Sequence, residues 1–447
     1  MEFDLIVIGA GAAGLSVSLR ANQAGLRTAL LDRHLFGGEC THSGCIPSKS
    51  FIRAAKHYAQ IEQRPGNEAF RAAMEAVAQT VDEIYGHETP EKIAEKGIYT
   101  YTHPSGVQFV DPHTVSIGDQ VLRADHFAIT TGSSPYVPEL PGISDVSILH
   151  NENFWDLRQK PDAVCFIGGG VIAAELSQAL ARLGVEVHIV ERWVRLAHQS
   201  VSGPQSDFLQ EILEDDGVQV HLDQEAVRFE GPNRLICDRG PDIEADHFFM
   251  TLGRRANVQG LNLDRIEIEY DDEGIGVDNT LRTSQPHIYA CGDVASRHKY
   301  SHMASYQARI VVYNILNPDN PRKQIEDDIP WAIFTEPELA KVGLSRGEVK
   351  ARYGKDVVEI TVPAENDRFI TDHKTTGFLT VFFDKRIDQI IGAEAGGYHA
   401  AEWIQLLSLA YQQKMTAAQV LETIFIYPTY SEIVRKACQK YLLQEKG

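Results

Sequence analysis

Two cysteines, Cys40 and Cys45, lie in the stretch CTHSGCIPSK with four residues between them. Such a pair could hold a metal ion, form a structural crosslink or act as a redox couple. A structural zinc site normally needs four Cys or His ligands, and no second pair follows at motif spacing, so we predict no metal site. A crosslink that closes so short a loop stabilises a fold little through chain entropy. These arguments favour redox chemistry.

The segment after Cys45 reads as a helix over 46–58, and the start of this helix favours a thiolate. Pro47 suits the first turn, where unpaired N–H groups stabilise negative charge. Lys49, one turn further on, adds positive charge to the same face. We expect His42, between the cysteines, to be a solvated or hydrogen-bonded loop residue, and it is a hypothetical proton carrier for the pair.

The N-terminal segment LIVIGAGAAGLSVSLRANQAGLRTALLDR reads as a strand, a glycine turn, a helix and a second strand. Gly9 permits the tight turn, Gly11 lets the backbone approach a pyrophosphate, and Gly14 lets helix and strand pack closely. The free N–H groups at the helix start would bind the anion. Asp32, which ends the second strand, would hold ribose hydroxyls. The segment therefore predicts a dinucleotide site.

The same pattern returns in AVCFIGGGVIAAELSQALARLGVEVHIVER, with turn glycines at Gly168 and Gly170. Glu191 closes the following strand, at the same distance from the first glycine as the acid of the first motif. Two sites of one kind in a single chain predict two dinucleotides, held by two domains.

The second acid bears on the choice of cofactor. The Glu191 carboxylate would accept hydrogen bonds from free ribose hydroxyls and repel a 2′-phosphate, which favours NAD over NADP. Arg192 and Arg195 are close enough in sequence to bind a phosphate, and Ala173 replaces the third glycine. NADP therefore stays possible.

The composition of the chain excludes some classes of partner. The sequence has 447 residues with a formal charge of −20, which would repel nucleic acid and anionic lipid. It has no signal-like start and no stretch of about 18 continuous apolar residues. We therefore expect a cytoplasmic protein without nucleic-acid or membrane partners.

At this point the chain resembles the FAD-dependent pyridine nucleotide-disulfide oxidoreductases, which include dihydrolipoamide dehydrogenase, glutathione reductase and mercuric reductase. The likeness runs nearly end to end. Besides the two glycine motifs, the matching stretches are GGECTHSGCIPSK (37–49), ITTGSSP (129–135), LGRRANV (252–258), IYACGDVA (288–295), FTEPELAKVGL (334–344) and YPTYSE (427–432).

The resemblance implies an α/β protein with two Rossmann-like dinucleotide-binding domains and a C-terminal α+β dimerisation domain. The FAD-binding domain would cover 1–147 and resume over 255–325, and the NAD(P)-binding domain would be inserted at 148–254. The dimerisation domain would cover 326–447 and make a homodimer.

The resemblance also assigns roles to single residues. Cys45 would be the sulfur next to the flavin, and Cys40 would be the thiol that meets substrate. Lys49 would pair with Glu175 beside the flavin, and Asp293 would hold the ribitol. Other cofactor contacts would come from Thr131, Gly132, Gly253, Ser301, His302 and Met303.

One departure limits what the resemblance implies about function. Thiol-disulfide members of the family have a histidine where this chain has Tyr427, while the following acid is retained as Glu432. A phenol, with a pKa near 10, is a poor base at neutral pH compared with an imidazole. Mercuric reductases are similar in having a tyrosine there, but they carry two adjacent C-terminal cysteines, whereas Cys438 is single.

We therefore expect an enzyme that moves electrons between NAD(P)H, FAD and the Cys40/Cys45 disulfide, and on to a small-molecule or protein-bound disulfide or dithiol, as in dihydrolipoamide dehydrogenase. A metal ion reductase is the alternative within the family. A flavin-bound redox sensor or protein-binding module is the alternative of another class.

Overall fold

The computed structural model describes residues 2–61, 65–325 and 328–445. The first part of the chain forms a sheet, and helices lie in several of the segments that connect its strands. Its elements are β1 (Glu2–Ile8), α1 (Ala12–Gln23), β2 (Thr28–Asp32), α2 (Gly38–His42), α3 (Cys45–Ile61), α4 (Asn67–Tyr85), α5 (Pro90–Ala94), β3 (Tyr99–Thr102), β4 (Val107–Asp111), β5 (Thr114–Ile117), β6 (Gln120–Ile129) and β7 (Ser133–Pro135).

A second sheet follows, with its own helices. Its segment contains β8 (Ile148–Leu149), β9 (Ala163–Ile167), α6 (Val171–Arg182), β10 (Glu186–Glu191), α7 (Gly203–Asp215), β11 (Gln219–Leu222), β12 (Ala226–Phe229), β13 (Arg234–Cys237), β14 (Ile243–Glu244), β15 (His247–Met250) and β16 (Arg254–Ala256). The parallel order is β11-β10-β9-β15-β8, and β12 to β14 form a separate antiparallel sheet.

The chain then returns to the first sheet through β17 (Ile288–Ala290), which is followed by α8 (Ser301–Leu316). The order of the first sheet is β3-β2-β1-β6-β5-β4, and β17 pairs with β6 in parallel. The strand β16 pairs with β7, so the segment that leaves the first sheet and the segment that re-enters it are joined.

The last part of the chain is an antiparallel sheet covered by helices. It contains β18 (Trp331–Ile333), β19 (Glu338–Gly343), α9 (Arg346–Tyr353), β20 (Val357–Pro363), α10 (Asp367–Thr371), β21 (Phe378–Asp384), β22 (Gln389–Gly397), α11 (Ala400–Trp403), α12 (Gln405–Gln412), α13 (Ala417–Leu421) and α14 (Glu432–Glu445). The strand order is β18-β19-β22-β21-β20.

The core follows from the strand sequences. The central strand β1 buries Leu5, Ile6 and Val7 completely, because a parallel sheet is covered on both faces. The first sheet is parallel except for β4 and β5, which pair antiparallel. The predicted α/β class, with two Rossmann-like units and a C-terminal α+β unit, is confirmed, and the exact domain boundaries stay predictions. Within the described residues, no helix has both the length and the apolar character needed to cross a membrane.

Candidate functional site

The first glycine turn joins β1 to α1 as the sequence predicts. Gly9 has a φ of 102°, and a Cβ there would lie 2.5 Å from the Thr130 carbonyl oxygen. No side chain caps the start of α1, so its N–H groups are available to an anion. The Asp32 carboxylate accepts hydrogen bonds from the Ala10 N–H at 2.5 Å and the His34 N–H at 2.8 Å. This acid is therefore fixed at the mouth of the turn.

The second turn repeats this geometry between β9 and α6. Gly168 has a φ of 101°, Gly170 precedes the first helical residue, and no side chain caps the helix. The buried Glu191 carboxylate accepts the Gly169 N–H at 2.7 Å and the Trp193 N–H at 3.0 Å. Each carboxylate oxygen keeps a lone pair for a further donor.

The two arginines that made NADP possible differ in their surroundings. Arg195 forms an ion pair with Asp207, with 3.1 Å between Nε and Oδ1. The Arg192 guanidinium lies over the Trp193 ring, 5.2 Å from its centroid. Arg195 is thus already paired with a carboxylate, which leaves Arg192 as the freer of the two for a phosphate.

One cleft of about 3000 Å³ connects both turns with the cysteine pair. Gly11 and Asp32 line one part of it, Gly168 and Glu191 another, and Cys45 lies on its wall. Two uncapped helix starts, each preceded by a tight turn whose first glycine has no room for a side chain, are what a dinucleotide needs. The residues present therefore fit two such cofactors.

The cysteines lie on two consecutive helices. Cys40 is in α2 and Cys45 is the first residue of α3, so the helix predicted over 46–58 forms and is slightly longer. A hydrogen bond from the Cys40 thiol, another from Ser301 and the charge of Lys49 outweigh burial and lower the pKa of Cys45 to about 6. The same hydrogen bond and burial raise the pKa of Cys40 well above its ordinary value. The two sulfurs are thus chemically unequal.

Lys49 and Glu175 meet beside this pair. The Lys49 ammonium lies 2.7 Å from Oε2 of the buried Glu175, and Oε1 accepts the Phe334 N–H at 2.9 Å. The ammonium also lies 4.5 Å from the centroid of the Phe334 ring. The structure thus brings together Lys49 and Glu175, the two residues that the resemblance pairs.

The start of α8 faces the same cleft. Ser301, His302 and Met303 form its first turn, and Tyr300 before them provides no side-chain cap. The Ser301 hydroxyl lies 3.5 Å from the Cys45 sulfur. Ser301 and His302 line the cleft, whereas the Met303 side chain is buried.

The remaining predicted cofactor contacts lie between the two turns. Gly132 and Gly253 have φ of 72° and 112°, and an added Cβ would meet no atom within 4 Å at either. The Thr131 hydroxyl donates to the Asn257 carbonyl at 2.7 Å. The Asp293 carboxylate accepts the hydroxyl of Ser133, on β7, at 2.8 Å.

A cluster around Arg254 is the part of the site that the sequence did not predict. Its guanidinium donates to the Glu39 carboxylate, to the Ser133 hydroxyl at 2.8 Å and to the Ser133 carbonyl at 2.7 Å. Asn151 donates to the other Glu39 oxygen at 2.8 Å. The sequence signals were an acid directly before Cys40 and an arginine in the stretch LGRRANV, but the partners of Glu39 lie more than 100 positions away from it.

His42 is hydrogen-bonded as expected, but it is the last residue of α2 and does not lie in a loop. Its Nε2 lies 2.6 Å from the Phe36 carbonyl oxygen, and its ring packs edge-on against Tyr85. Its role as a proton carrier stays a prediction.

Tyr427 and Glu432 do not line the cleft that holds Cys40 and Cys45 of the same chain. The Tyr427 side chain is two-thirds exposed, and its hydroxyl donates to Asp367 at 2.6 Å, which raises the pKa of the phenol. Glu432 is buried and pairs with Arg435 at 3.3 Å. Among the residues described by the structure, no group of three or more His, Cys, Asp or Glu side chains is placed to hold a metal ion.

Comparisons with known proteins agree with this geometry. The family model described as pyridine nucleotide-disulphide oxidoreductase matches residues 3–308, and the model of its dimerisation domain matches 329–438. A dihydrolipoyl dehydrogenase from Bacillus subtilis is 31% identical over 98% of this chain and 96% of its own length. A mercuric reductase from Staphylococcus aureus is 29% identical over 98% of this chain and 82% of its own length.

Solved structures show the same fold. The HOCl-induced flavoprotein disulfide reductase RclA from Escherichia coli superposes with a TM-score of 0.87 at 22% identity, covering 98% of this chain and 99% of that chain. The resemblance on which the sequence analysis relied is confirmed.

Proposed function

Because the chain belongs to the pyridine nucleotide-disulphide oxidoreductase family, whose members are FAD-dependent enzymes that use NAD(P)H, we propose that it passes electrons from NADH to the Cys40/Cys45 disulfide and on to a disulfide acceptor. The match to the dimerisation domain supports a homodimer.

The observation that carries this proposal is the inequality of the two sulfurs. Cys45, at a helix start near Lys49 and Ser301, is stabilised as a thiolate, while Cys40 holds its proton. A dithiol used for electron transfer needs such a division, with one sulfur carrying the charge and the other meeting the substrate. A structural pair has no need of a stabilised thiolate.

FAD supplies the two-electron chemistry between nicotinamide and disulfide. In our proposal the turn of Gly9 and Gly11 binds its pyrophosphate, Asp32 its ribose and Asp293 its ribitol, while free N–H groups of α8 face the ring system. The turn of Gly168 and the acid Glu191 bind NADH. These residues would orient the cofactors, and Glu175 holds the Lys49 ammonium in place on the side of the thiolate.

The overall reaction balances at the cysteines. The hydride equivalent of NADH supplies two electrons and one proton, the S–S bond breaks, and Cys40 becomes a thiol while Cys45 becomes a thiolate. A disulfide acceptor is then attacked by the Cys40 sulfur, releases one thiolate, and releases the second when Cys45 closes the internal disulfide again. The acceptor gains both electrons, and a proton must leave Cys40 before its attack.

A lipoyl-type disulfide is the acceptor class that we favour, because the relative named dihydrolipoyl dehydrogenase is 31% identical over nearly the whole chain. Tyr427 argues against efficient turnover of this acceptor. Its phenol donates a hydrogen bond to Asp367 and cannot readily take a proton from a thiol.

Metal ion reduction is the second candidate, and the exposed Tyr427 favours it, because a metal acceptor needs no base at that position. Three relatives are named mercuric reductase, and RclA has been solved as a Cu(II) complex. Cys438, however, is single and fully buried, so a second C-terminal thiol pair is not available. A flavin-bound redox sensor is the candidate of another class, and it would turn over every small acceptor slowly.

The test begins with an anaerobic titration of the FAD-loaded enzyme with NADH. The proposal expects two new thiols per chain and a long-wavelength thiolate-to-flavin absorbance band, both lost in Cys45→Ser and retained in Cys237→Ser. If the wild type gains no thiols, the redox-pair proposal is wrong.

Steady-state NADH oxidation then separates the acceptors. Turnover with lipoamide supports the disulfide proposal, turnover with Hg(II) alone supports the metal candidate, and slow turnover with lipoamide, glutathione disulfide and Hg(II) after normal reduction supports the sensor.

A further inference from the structure

The Glu39 carboxylate lies at the junction of the parts of the chain that form the redox centre. Glu39 is in α2, directly before Cys40, and its two oxygens accept hydrogen bonds from Asn151 and Arg254. Asn151 comes from the connection after β8, and Arg254 begins β16. One side chain therefore ties the Cys40 helix to the two segments that enter and leave the second dinucleotide sheet.

Arg254 extends this contact toward the predicted ribitol site. Its Nε donates to the Ser133 hydroxyl at 2.8 Å, and that hydroxyl donates to the Asp293 carboxylate at 2.8 Å. The Arg254 side chain is only 13% exposed, so its position depends on these partners. Glu39, Arg254, Ser133 and Asp293 thus form a continuous chain of polar contacts beside the cysteines.

The charges around Glu39 are mostly negative. The charged groups that act most strongly on Glu39 are Arg254, Asp293, Glu152 and Cys45. Among these four, only Arg254 is a cation. Burial is the main reason that the pKa of Glu39 is raised to about 7, and the negative groups act in the same direction. A carboxylate in this position can bind a proton at neutral pH, and a new negative charge at Cys45 favours that binding.

We propose that Glu39 is a positioning residue of the redox centre, which fixes the Cys40 helix against Arg254 and takes up a proton from solvent when Cys45 becomes a thiolate. This inference rests on the proposed function, because it requires the cysteine pair to be reduced. It gives a role to an acid for which the sequence analysis found none.

The proton count makes the inference testable. Reduction of the disulfide by NADH gives one thiol and one thiolate, and the hydride equivalent already supplies the proton of the thiol. Any proton taken up from solvent must therefore bind to a group other than the two cysteines. Near pH 7, where Cys45 stays a thiolate, Glu39 should bind about 0.3 proton per disulfide reduced.

The experiment measures proton uptake with an indicator dye in weak buffer while the FAD-loaded wild type is reduced by stoichiometric NADH. Wild type should take up a fraction of a proton, with a maximum near pH 7, and Glu39→Gln should take up almost none. Glu230→Gln is the matched control, because Glu230 pairs with Arg228 on an exposed hairpin. Glu39→Asp, which keeps an acid in place, should retain the uptake.

A second readout does not depend on recovering a fully active Glu39→Gln enzyme. Removing a negative charge near Cys45 should lower the apparent pKa of its thiolate by about half a pH unit, a roughly threefold rise in the thiolate-to-thiol ratio. The rate of iodoacetamide alkylation against pH measures this shift.

The outcomes separate the two proposals. If NADH generates no new thiols in wild type, the proposed function fails. If thiols form but wild type takes up no solvent protons, or Glu39→Gln takes up as many as wild type, the inference about Glu39 is wrong while the proposed function stands.

Discussion

Removing the Cys40 sulfur tests the mechanism by which the structure stabilises the Cys45 thiolate. In Cys40→Ser and Cys40→Ala no internal disulfide can form, so Cys45 is a free thiol or thiolate in the oxidised, FAD-loaded protein. Its pKa in the intact pair is about 6, against an ordinary value of 9.0. At pH 7 this corresponds to ~10 thiolates per thiol, where an ordinary cysteine would have ~1 per 100.

The largest contribution to this low pKa is the hydrogen bond from Cys40, followed among the favourable causes by Ser301 and Lys49. Serine at position 40 keeps a hydroxyl donor, whereas alanine keeps none. The pH at which half of the thiolate is lost should therefore be higher in Cys40→Ala than in Cys40→Ser, by about one pH unit for a hydrogen bond to a charged group.

The assay is the long-wavelength thiolate-to-flavin band, recorded as pH falls from 10 to 5. The band is present above the midpoint and disappears as Cys45 is protonated. Adding Ser301→Ala to Cys40→Ser should raise the midpoint again, while Cys237→Ser in the same background should not move it. Equal midpoints in the serine and alanine variants would refute the reasoning, because the donor at position 40 would then contribute nothing.

Three further predictions use the same structure. Lys49→Met removes the ammonium beside the thiolate and leaves the buried Glu175 carboxylate without its cation, so the midpoint of the band should rise; the exposed Lys92→Met is its control. Tyr427→His should increase kcat with lipoamide several-fold, since an imidazole can take the proton of a thiol; unchanged turnover would show that proton transfer there is not limiting. Glu191→Gln removes the charge that repels a 2′-phosphate. The ratio of kcat/KM with NADH to kcat/KM with NADPH should therefore fall by about tenfold. An unchanged ratio would contradict the assignment of Glu191 to the ribose hydroxyls.

The local parts of the site could be predicted from the sequence. Both glycine turns and the helix that starts at Cys45 depend on residues within a few positions of one another. The part played by Ser301 at the start of α8 came from the family resemblance. Glycines with positive φ and an acid at a fixed spacing leave few alternatives for the backbone. The return of β17 to the first sheet followed from the family resemblance and not from residue patterns.

The long-range contacts could not be predicted. Glu39 and Arg254 are 215 positions apart, and neither has a spacing or periodicity that points to the other. The same holds for Tyr427 and Asp367, whose hydrogen bond crosses 60 positions within the last domain. Such pairs are determined by how sheets and helices pack, so only coordinates reveal them.

The contact between Gly11 and Gly38 has a practical consequence for engineering. A Cβ on Gly38 would lie 2.6 Å from the Gly11 Cα, so the helix that carries Cys40 rests directly on the backbone of the first glycine turn. A Cβ on Gly11 would lie at an ordinary 3.7 Å from the Gly38 Cα, so Gly38 is the position that has no room for a side chain. A redesign that aims to change which substrates reach the thiols must therefore keep glycine at position 38.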